Sequence, residues 1–397
     1  MKSSEGWFAA VYLNLCSFSK SGELPGKTSD IYQMFSASML NPLPEDRKEF
    51  LSAMGLADEF TEEMAEFITK REDVHQILKM LTRQNAFVAC LNDGQTYRFH
   101  HMMKECAFRA FRTLDDSRLA FYYERYGAWY EKHGAYIYAL SAYRRNQNFA
   151  AILRVVQKDA GILLASLKPE EVLEVLNRCS VSVLKEYPLA ILVLMRCMFN
   201  WKNIPKMLEL KELLLASIRE HPKLSEEERG NLLGECDLIQ SFLMYNDISR
   251  MSQFHRSASE KMTRPAISIR SDGGWTFGSP SVLMMFHRKS GDLDKELEEM
   301  NQCMPHYYKI ANGHGQGAET IMSAEAHFMR GNFVDANIAL EKAYTQIQGN
   351  GQESIALCCD FLAQRLSICM DIKTRNTFEE RRKELLQGHN TTWVNIF

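Results

Sequence analysis

An aromatic segment at residues 119–143, LAFYYERYGAWYEKHGAYIYALSAY, limits what this chain can fold into more than any other stretch. Its tyrosines recur at helical spacing until Gly134 breaks the pattern, and they resume after it, which predicts two short helices packed as a hairpin. Two helices approach closely only where a large ring meets a small residue. We therefore expect Gly127 and Ala139 to be the small positions that face large rings.

The same pattern returns late in the chain. Gly331, Phe333 and Ala336 repeat the glycine, aromatic and alanine spacing of the first segment. This order resembles the tetratricopeptide repeat, with Tyr123 in the place of the usual Trp. One copy is equally compatible with an ordinary amphipathic hairpin, but the second copy favours a solenoid of helical repeats, which offers an extended binding surface.

The amino-acid composition argues against nucleic acid and acidic membranes as partners and indicates the cellular compartment. The 397 residues are 46% hydrophobic, enough for two or three cores, and the net charge of -3 gives no global attraction to nucleic acid or acidic membranes. The ten cysteines show no metal-binding spacing and fit a reducing environment, so we expect a cytoplasmic protein without a metal site. We interpret Cys358 and Cys359 as packing residues. The apolar run from Trp7 to Phe18 predicts a buried helix that is too short to span a membrane.

Residues 41–115 carry the pattern of a winged helix. Pro44, Thr61 and Asp73 each mark the start of a predicted helix. Residues 87–100 then change to short β-rich runs around the turn Asn92-Asp93-Gly94-Gln95, which predicts a hairpin. Three helices followed by a hairpin are the winged-helix layout.

Many winged helices bind DNA through their third helix, which lies here between Asp73 and Gln84. Besides an apolar face it offers only Lys79, Arg83 and Gln84 for phosphates and base edges. Because these DNA-contacting side chains are few and the chain is slightly acidic, we expect no specific DNA binding by this chain alone.

Several motifs, taken in their order along the chain, resemble those of a known protein family. The stretch Tyr97-Arg98-Phe99-His100-His101-Met102-Met103 follows the predicted hairpin, and Glu5-Gly6-Trp7 stands near the start. Together with the helical hairpin after Leu119, this order resembles the middle of MalT-type regulators of the LuxR family, which belong to the STAND class of signal-transducing nucleotidases. The resemblance covers residues 6–150 well and the remainder in architecture.

The resemblance implies a mainly α-helical fold, a winged-helix domain followed by a tetratricopeptide-like solenoid. Its expected parts are a C-terminal helical remnant of a nucleotidase domain at 1–40, the winged helix at 41–115, helical repeats at 116–265 and a second part of the repeats at 266–397. The segment from Arg264 to Pro280, rich in Pro, Ser and Gly, is the best internal break. It is either a long loop between helices or a rim over a ligand groove.

Two parts of the family pattern are absent from this sequence. It contains no G-x-x-x-x-G-K-[ST] phosphate loop and no LuxR-type helix-turn-helix after the repeats. We therefore expect a fragment, or a gene that has lost both ends. ATP or ADP is expected only where a nucleotidase domain is supplied, and DNA contact only through a missing helix-turn-helix.

His100 is the one candidate site residue. Phe99-His100-His101 falls where STAND relatives carry a Met-His-Asp motif, and the resemblance implies that His100 contacts the β-phosphate of ADP in a full-length protein. Phe99 and His101 depart from the motif. Strand alternation places Tyr97 and Phe99 toward the core and His100 away from it. The alternative is a surface or capping histidine without a ligand.

The sequence shows no catalytic constellation, so we expect no enzyme activity. Gly313-His314-Gly315-Gln316-Gly317 lacks the strand and lysine of a nucleotide loop, and we interpret it as the turn before a helix. The resemblance implies the signal-sensing region of a LuxR/MalT-type transcriptional regulator. Its repeats would bind a small-molecule inducer or a partner protein, its winged helix would relay this to a nucleotide switch, and activation would bring self-association. The alternative is a free-standing repeat scaffold for protein–protein interaction.

Overall fold

The computed structural model describes residues 32, 36, 40–83, 88–160, 167–244, 246–269, 274–276, 278–348, 351–369 and 383–384. The predicted helix at residues 7–18, and all of the predicted nucleotidase remnant except Tyr32, Ser36 and Leu40, lie outside the described residues.

The first part of the described chain is a winged helix. Its elements in chain order are α1 (Glu45–Met54), β1 (Phe60–Thr61), α2 (Glu62–Thr69), α3 (Val74–Arg83), β2 (Val88–Cys90), β3 (Thr96–Phe99) and α4 (His101–Phe111). The strands are antiparallel in the order β1-β3-β2, with Phe60 opposite Tyr97 and Val88 opposite Phe99. The predicted hairpin is confirmed, and β1 is an additional strand that pairs with its second arm.

Local chemistry explains where these elements begin and turn. The Thr61 side chain accepts a hydrogen bond from the backbone N–H of Met64 at 3.2 Å, as expected of a helix N-cap. In the hairpin turn, the Asp93 carboxylate accepts from the backbone N–H groups of Gln95 and Thr96 at 3.0 and 2.9 Å, and Gly94 takes the left-handed φ of 69°. These contacts fix the ends of both strands.

The aromatic segment forms the predicted helical hairpin. It consists of α5 (Asp116–Lys132) and α6 (Tyr136–Arg145), and α7 (Phe149–Asp159) follows. A Cβ atom on Gly127 would lie 2.4 to 2.7 Å from ring atoms of Tyr143, which is fully buried. Gly127 is therefore the small residue that admits a ring of the opposite helix, as predicted.

The chain divides into two compact units, residues 1–155 and 156–397, with the division inside α7. The first unit unites the winged helix with the first helical hairpin. Tyr122, Tyr126 and Trp129 of α5 belong to the same hydrophobic core as Phe50 and Leu78 of the winged helix. The four-part domain division drawn from the sequence stays a prediction.

The second unit consists of helices. They are α8 (Pro169–Arg178), α9 (Val181–Lys185), α10 (Pro188–Asn200), α11 (Ile204–Glu220), α12 (Glu226–Ser241), a 3₁₀ turn (Phe242–Met244), α13 (Ile248–Lys261), α14 (Val282–Phe286), α15 (Leu293–Ile310), α16 (Ala318–Met329), α17 (Phe333–Ile347) and α18 (Glu353–Cys369). Neighbours in sequence pack in pairs, α10 with α11, α12 with α13, and α16 with α17. The predicted break between Arg264 and Pro280 is non-helical where it is described.

One turn geometry recurs between paired helices. Gly134, Gln147, Lys202 and Gly331 take left-handed φ angles of 72°, 53°, 59° and 78°. In each turn the N–H of the next residue reaches the carbonyl five positions earlier, at 2.8 to 3.0 Å, which closes the preceding helix and starts the next one. The fold class is therefore as predicted, a mainly α-helical chain with a winged helix followed by helical repeats.

Candidate functional site

His100 is the N-cap of α4. Strand β3 ends at Phe99, and the Nδ1 atom of His100 accepts a hydrogen bond from the backbone N–H of Met102 at 3.4 Å. Tyr97 and Phe99 are buried, as strand alternation predicts. Because Nδ1 accepts, the proton of the neutral ring belongs on Nε2, which is then the donor suited to a phosphate oxygen. The capping role is present, and the phosphate contact stays a prediction.

A cleft of about 440 Å³ lies beside this helix start and is lined by Gly55, Leu56, His101, Lys104 and Phe108, among others. Burial lowers the pKa of Lys104, whose ammonium group pairs with the carboxylate of Asp58. The first turn of α4 thus presents two imidazoles and one lysine. These are groups that can hold a phosphate.

The third winged-helix helix, α3, exposes His75, Lys79 and Arg83 on one face. The His75 ring lies 3.1 Å from the carboxylate of Glu62. Residues 45–83 contain ten Asp and Glu against six Lys and Arg, which opposes attraction to a polyanion. Gln84 lies outside the described residues.

The second unit contains a small cavity built from segments far apart in sequence. It has a volume of about 30 Å³, room for one or two water-sized groups. Its walls come from α10, the 3₁₀ turn, α13, the segment at Gly274 and Trp275, α14, α15 and the 311–317 turn. Its lining residues are Arg196, Phe242, Met251, His255, Gly274, Trp275, Met285, Phe286, Tyr307 and His314.

Arg196 is the cationic group of this cavity. Its guanidinium carbon lies 4.3 Å from the ring centroid of Phe242 and 5.3 Å from that of Phe199. Among the described residues, the buried Nη1 atom has no hydrogen-bond partner and no carboxylate pairs with the side chain. Burial lowers the pKa of Arg196, but a guanidinium keeps its proton in proteins. The cavity therefore holds a charge that the described chain does not neutralise.

His255 is neutral and internally satisfied. Burial, followed by the nearby His306, lowers its pKa to about 3. The hydroxyl of Ser241 donates to the carbonyl of Leu238 at 2.6 Å, so its oxygen accepts from the Nε2–H of His255 at 3.1 Å. The Nδ1 atom then accepts from the thiol of Cys303 at 3.1 Å.

The glycine-rich turn supports the opposite wall. Gly317 directly precedes α16, which agrees with the predicted turn before a helix. A Cβ atom on Gly315 would lie 2.4 Å from the ring of Trp275, so the indole packs closely against this backbone. The Gln352 amide accepts from the N–H of Gly315 at 2.8 Å and donates to the carbonyl of Gly313 at 3.0 Å. Trp275, at the centre of the segment that the sequence marks as a break, thus becomes a buried wall residue.

Sequence reasoning did not single out Arg196 or His255. Arg196 is the one charged residue in the apolar run from Leu189 to Phe199. A single cation within a buried helical run is the signal that could have found it, because such a charge needs a partner. His255 carried no comparable signal.

Other site types have no support in the described residues. Cys358 and Cys359 are buried, and burial raises the pKa of both thiols, so they pack as predicted and are not activated. No group of three His, Cys, Asp or Glu side chains in the described ranges is arranged to hold a metal. None of the helices described here has the length and apolar character needed to cross a membrane.

Comparison with known proteins gives one family match and one similar structure. The model of the MalT winged helix domain matches residues 36–119. No curated protein sequence matches the chain. A STAND protein with a tetratricopeptide repeat sensor from Pyrococcus horikoshii aligns with 15% identity and a TM-score of 0.38. That alignment covers 92% of this chain and 58% of the other, so the chain spans less than two thirds of that protein, and its winged helix is similar to that of MalT.

Proposed function

We propose that this chain is the signal-sensing and regulatory region of a MalT-type STAND transcriptional regulator. Its helical repeats bind an inducer or a partner protein, and its winged helix relays the signal to a nucleotide switch. The observation that carries this proposal is the MalT-type winged helix at 36–119, which runs without interruption into helical repeats.

The first repeat helix supplies a physical route for the relay. The Tyr126 hydroxyl donates to the carbonyl of Ala53 at 2.8 Å, and the Tyr122 hydroxyl donates to the Glu49 carboxylate at 2.8 Å. Arg125 donates to the backbone carbonyl of Ile68 at 3.1 Å, at the end of α2. These bonds join α5 to α1 and α2, so a displacement of α5 displaces the winged helix with it.

The opposite side of α5 connects to the next two helices. The Glu131 carboxylate accepts from Nε and Nη2 of Arg154 at 2.9 and 2.8 Å and from the Tyr143 hydroxyl at 2.8 Å. Glu131 is buried, and such a charge-assisted network holds one geometry. The first hairpin is thus rigid on both faces, as a mechanical relay requires.

In this proposal the chain is not itself an enzyme. ATP or ADP is bound by a nucleotidase domain, and His100 contributes a hydrogen bond to the nucleotide phosphate from the start of α4. DNA is contacted by a helix-turn-helix domain, and active molecules self-associate.

The test of this mechanism changes His100 in a protein that carries the nucleotidase. His100→Ala removes both the cap and the phosphate donor, whereas His100→Asp keeps a good N-cap but cannot donate at neutral pH. We expect both variants to release ADP faster, by about tenfold or more for one charge-assisted bond, and to show activity without inducer.

ADP release rates and thermal stability are measured for both variants. The aspartate variant is the informative one, because it restores the cap. An aspartate variant that retains ADP as well as the unchanged protein would assign His100 to capping alone and remove it from the switch.

A further inference from the structure

The geometry points to the cavity around Arg196 as the binding site for the carboxylate head of a small organic anion. This inference rests on the proposed sensing role of the repeats and names the chemistry that they would sense. It is carried by the position of the guanidinium, its lack of a carboxylate partner and the shape of the surrounding walls.

Charge is the first argument. Arg196 is half-buried and its Nη1 atom is fully buried, so its guanidinium loses part of its hydration, and a facing phenyl ring offsets only a fraction of that cost. A second half-buried arginine stacked between phenylalanines, Arg365, lies 4.5 Å from the Phe328 ring and interacts electrostatically with the buried Glu325. Arg196 has no such carboxylate among the described residues, and an anion in the cavity would supply one.

Hydrogen bonding is the second argument. Both ring nitrogens of His255 are used by Ser241 and Cys303, and the Tyr307 hydroxyl lies 2.7 Å from Nδ1 of His314. Among the residues described as lining this cavity, Arg196 has a buried donor, its Nη1 group, without a hydrogen-bond partner. A carboxylate oxygen is the acceptor for which a guanidinium is best shaped.

Size and polarity narrow the class further. A free volume of about 30 Å³ holds two water-sized groups, which matches two carboxylate oxygens and not the four oxygens of phosphate. One cation also balances a monoanion rather than a dianion. The walls are mostly aromatic, Phe242, Trp275, Phe286 and Tyr307, and the small volume admits the head of the shortest carboxylates without a longer apolar body.

The experiment uses the full chain with formate and acetate as probes. Binding is measured by saturation-transfer NMR on the probe protons and by the rise in unfolding temperature, both at constant ionic strength. Chloride, phosphate and choline serve as comparison ions. The variants are Arg196→Met, Arg196→Lys and the matched control Arg365→Met.

We expect acetate or formate to bind the unchanged chain and to stabilise it, whereas phosphate and choline do neither. Arg196→Met should weaken binding by at least about tenfold, and Arg365→Met should bind as the unchanged chain does. Arg196→Lys keeps the charge but loses the planar fork, so it should bind more weakly than the unchanged chain. If Arg196→Met does not fold, Arg196→Lys still tests whether the guanidinium binds the anion.

Two results would overturn the inference. One is the absence of probe binding to the unchanged chain, and the other is equal binding by the Arg196 variants. Both leave the proposed regulatory function standing, because nucleotide retention is measured separately through His100. Conversely, anion binding by the chain together with unchanged ADP retention in the His100→Asp variant would keep this cavity as a sensor and remove His100 from the nucleotide switch.

Discussion

Glu325 on α16 is a buried carboxyl group whose ionisation makes folding stability depend on pH. Burial raises its pKa from 4.5 to about 7, although the backbone N–H of Leu283 donates to it at 2.7 Å. Between these two pH values the folded chain binds the proton more tightly than the unfolded chain. The stability that Glu325 contributes is therefore fully present below pH 4.5 and is lost as the pH rises through about 7.

Replacing this group with an amide should remove that pH dependence. Glu325→Gln keeps an acceptor for Leu283 but does not ionise, so its stability advantage over the unchanged chain should grow from pH 4.5 to 7, to a total on the order of 3 kcal/mol. Urea unfolding of both proteins across this range measures the difference. His255, with a pKa near 3, contributes equally to both and cancels. Parallel stability curves would show that Glu325 is not buried as described.

At the level of single residues, the sequence predicted contacts that are close along the chain and missed those that are distant. Gly127 could be assigned to a ring because the two helices are separated by one turn. His100 could be placed beside the strand, although the strand ends one residue earlier and the imidazole caps a helix instead. Seven segments line the cavity around Arg196, and no local sequence pattern indicates that these segments lie together in the fold.

The pairing of α5 with α6 depends on the missing side chain of Gly127. Alanine favours a helix over glycine by about 1 kcal/mol, so propensity alone predicts that Gly127→Ala stabilises the chain. A methyl group there would lie within 2.7 Å of the buried Tyr143 ring, and such overpacking costs about 1–3 kcal/mol. We expect a net destabilisation, measured by urea unfolding.

A Tyr143→Leu background provides the control. With the ring removed, Gly127→Ala should become neutral or stabilising, and the double-mutant cycle isolates the contact from helix propensity. If Gly127→Ala lowers the free energy of unfolding equally with and without Tyr143→Leu, the two residues are not in contact.

At the level of elements, helices with caps and aromatic periodicity were predictable, and the shortest strand was not. Strand β1 has two residues, Phe60 and Thr61, which is too short for an alternating pattern. It forms because Phe60 packs on Tyr97 and Phe99, with ring centroids 6.1 and 5.2 Å away. The turns at Gln147 and Lys202 were also hidden, because residues other than glycine occupy their left-handed positions.

For the molecule as a whole, we propose a division between a relay and a sensor. The first unit holds the winged helix and the rigid hairpin behind it, and the second unit holds the helical repeats and the Arg196 cavity. The fold class followed from the repeated hairpin pattern and the winged-helix layout. The nucleotide switch follows only from resemblance and from the winged-helix match, so it is the central claim to test.

The most direct test is the nucleotide content of the protein purified from its own cells through a tag on the chromosomal gene. The protein purified in this way has its natural length and keeps any nucleotidase domain or bound partner chain that the proposal requires. We expect ADP or ATP to be bound in near-equal molar amount to this chain, and to be lost on His100→Asp substitution. Protein that carries no nucleotide and no phosphate-loop partner would contradict the account and favour a free-standing repeat scaffold.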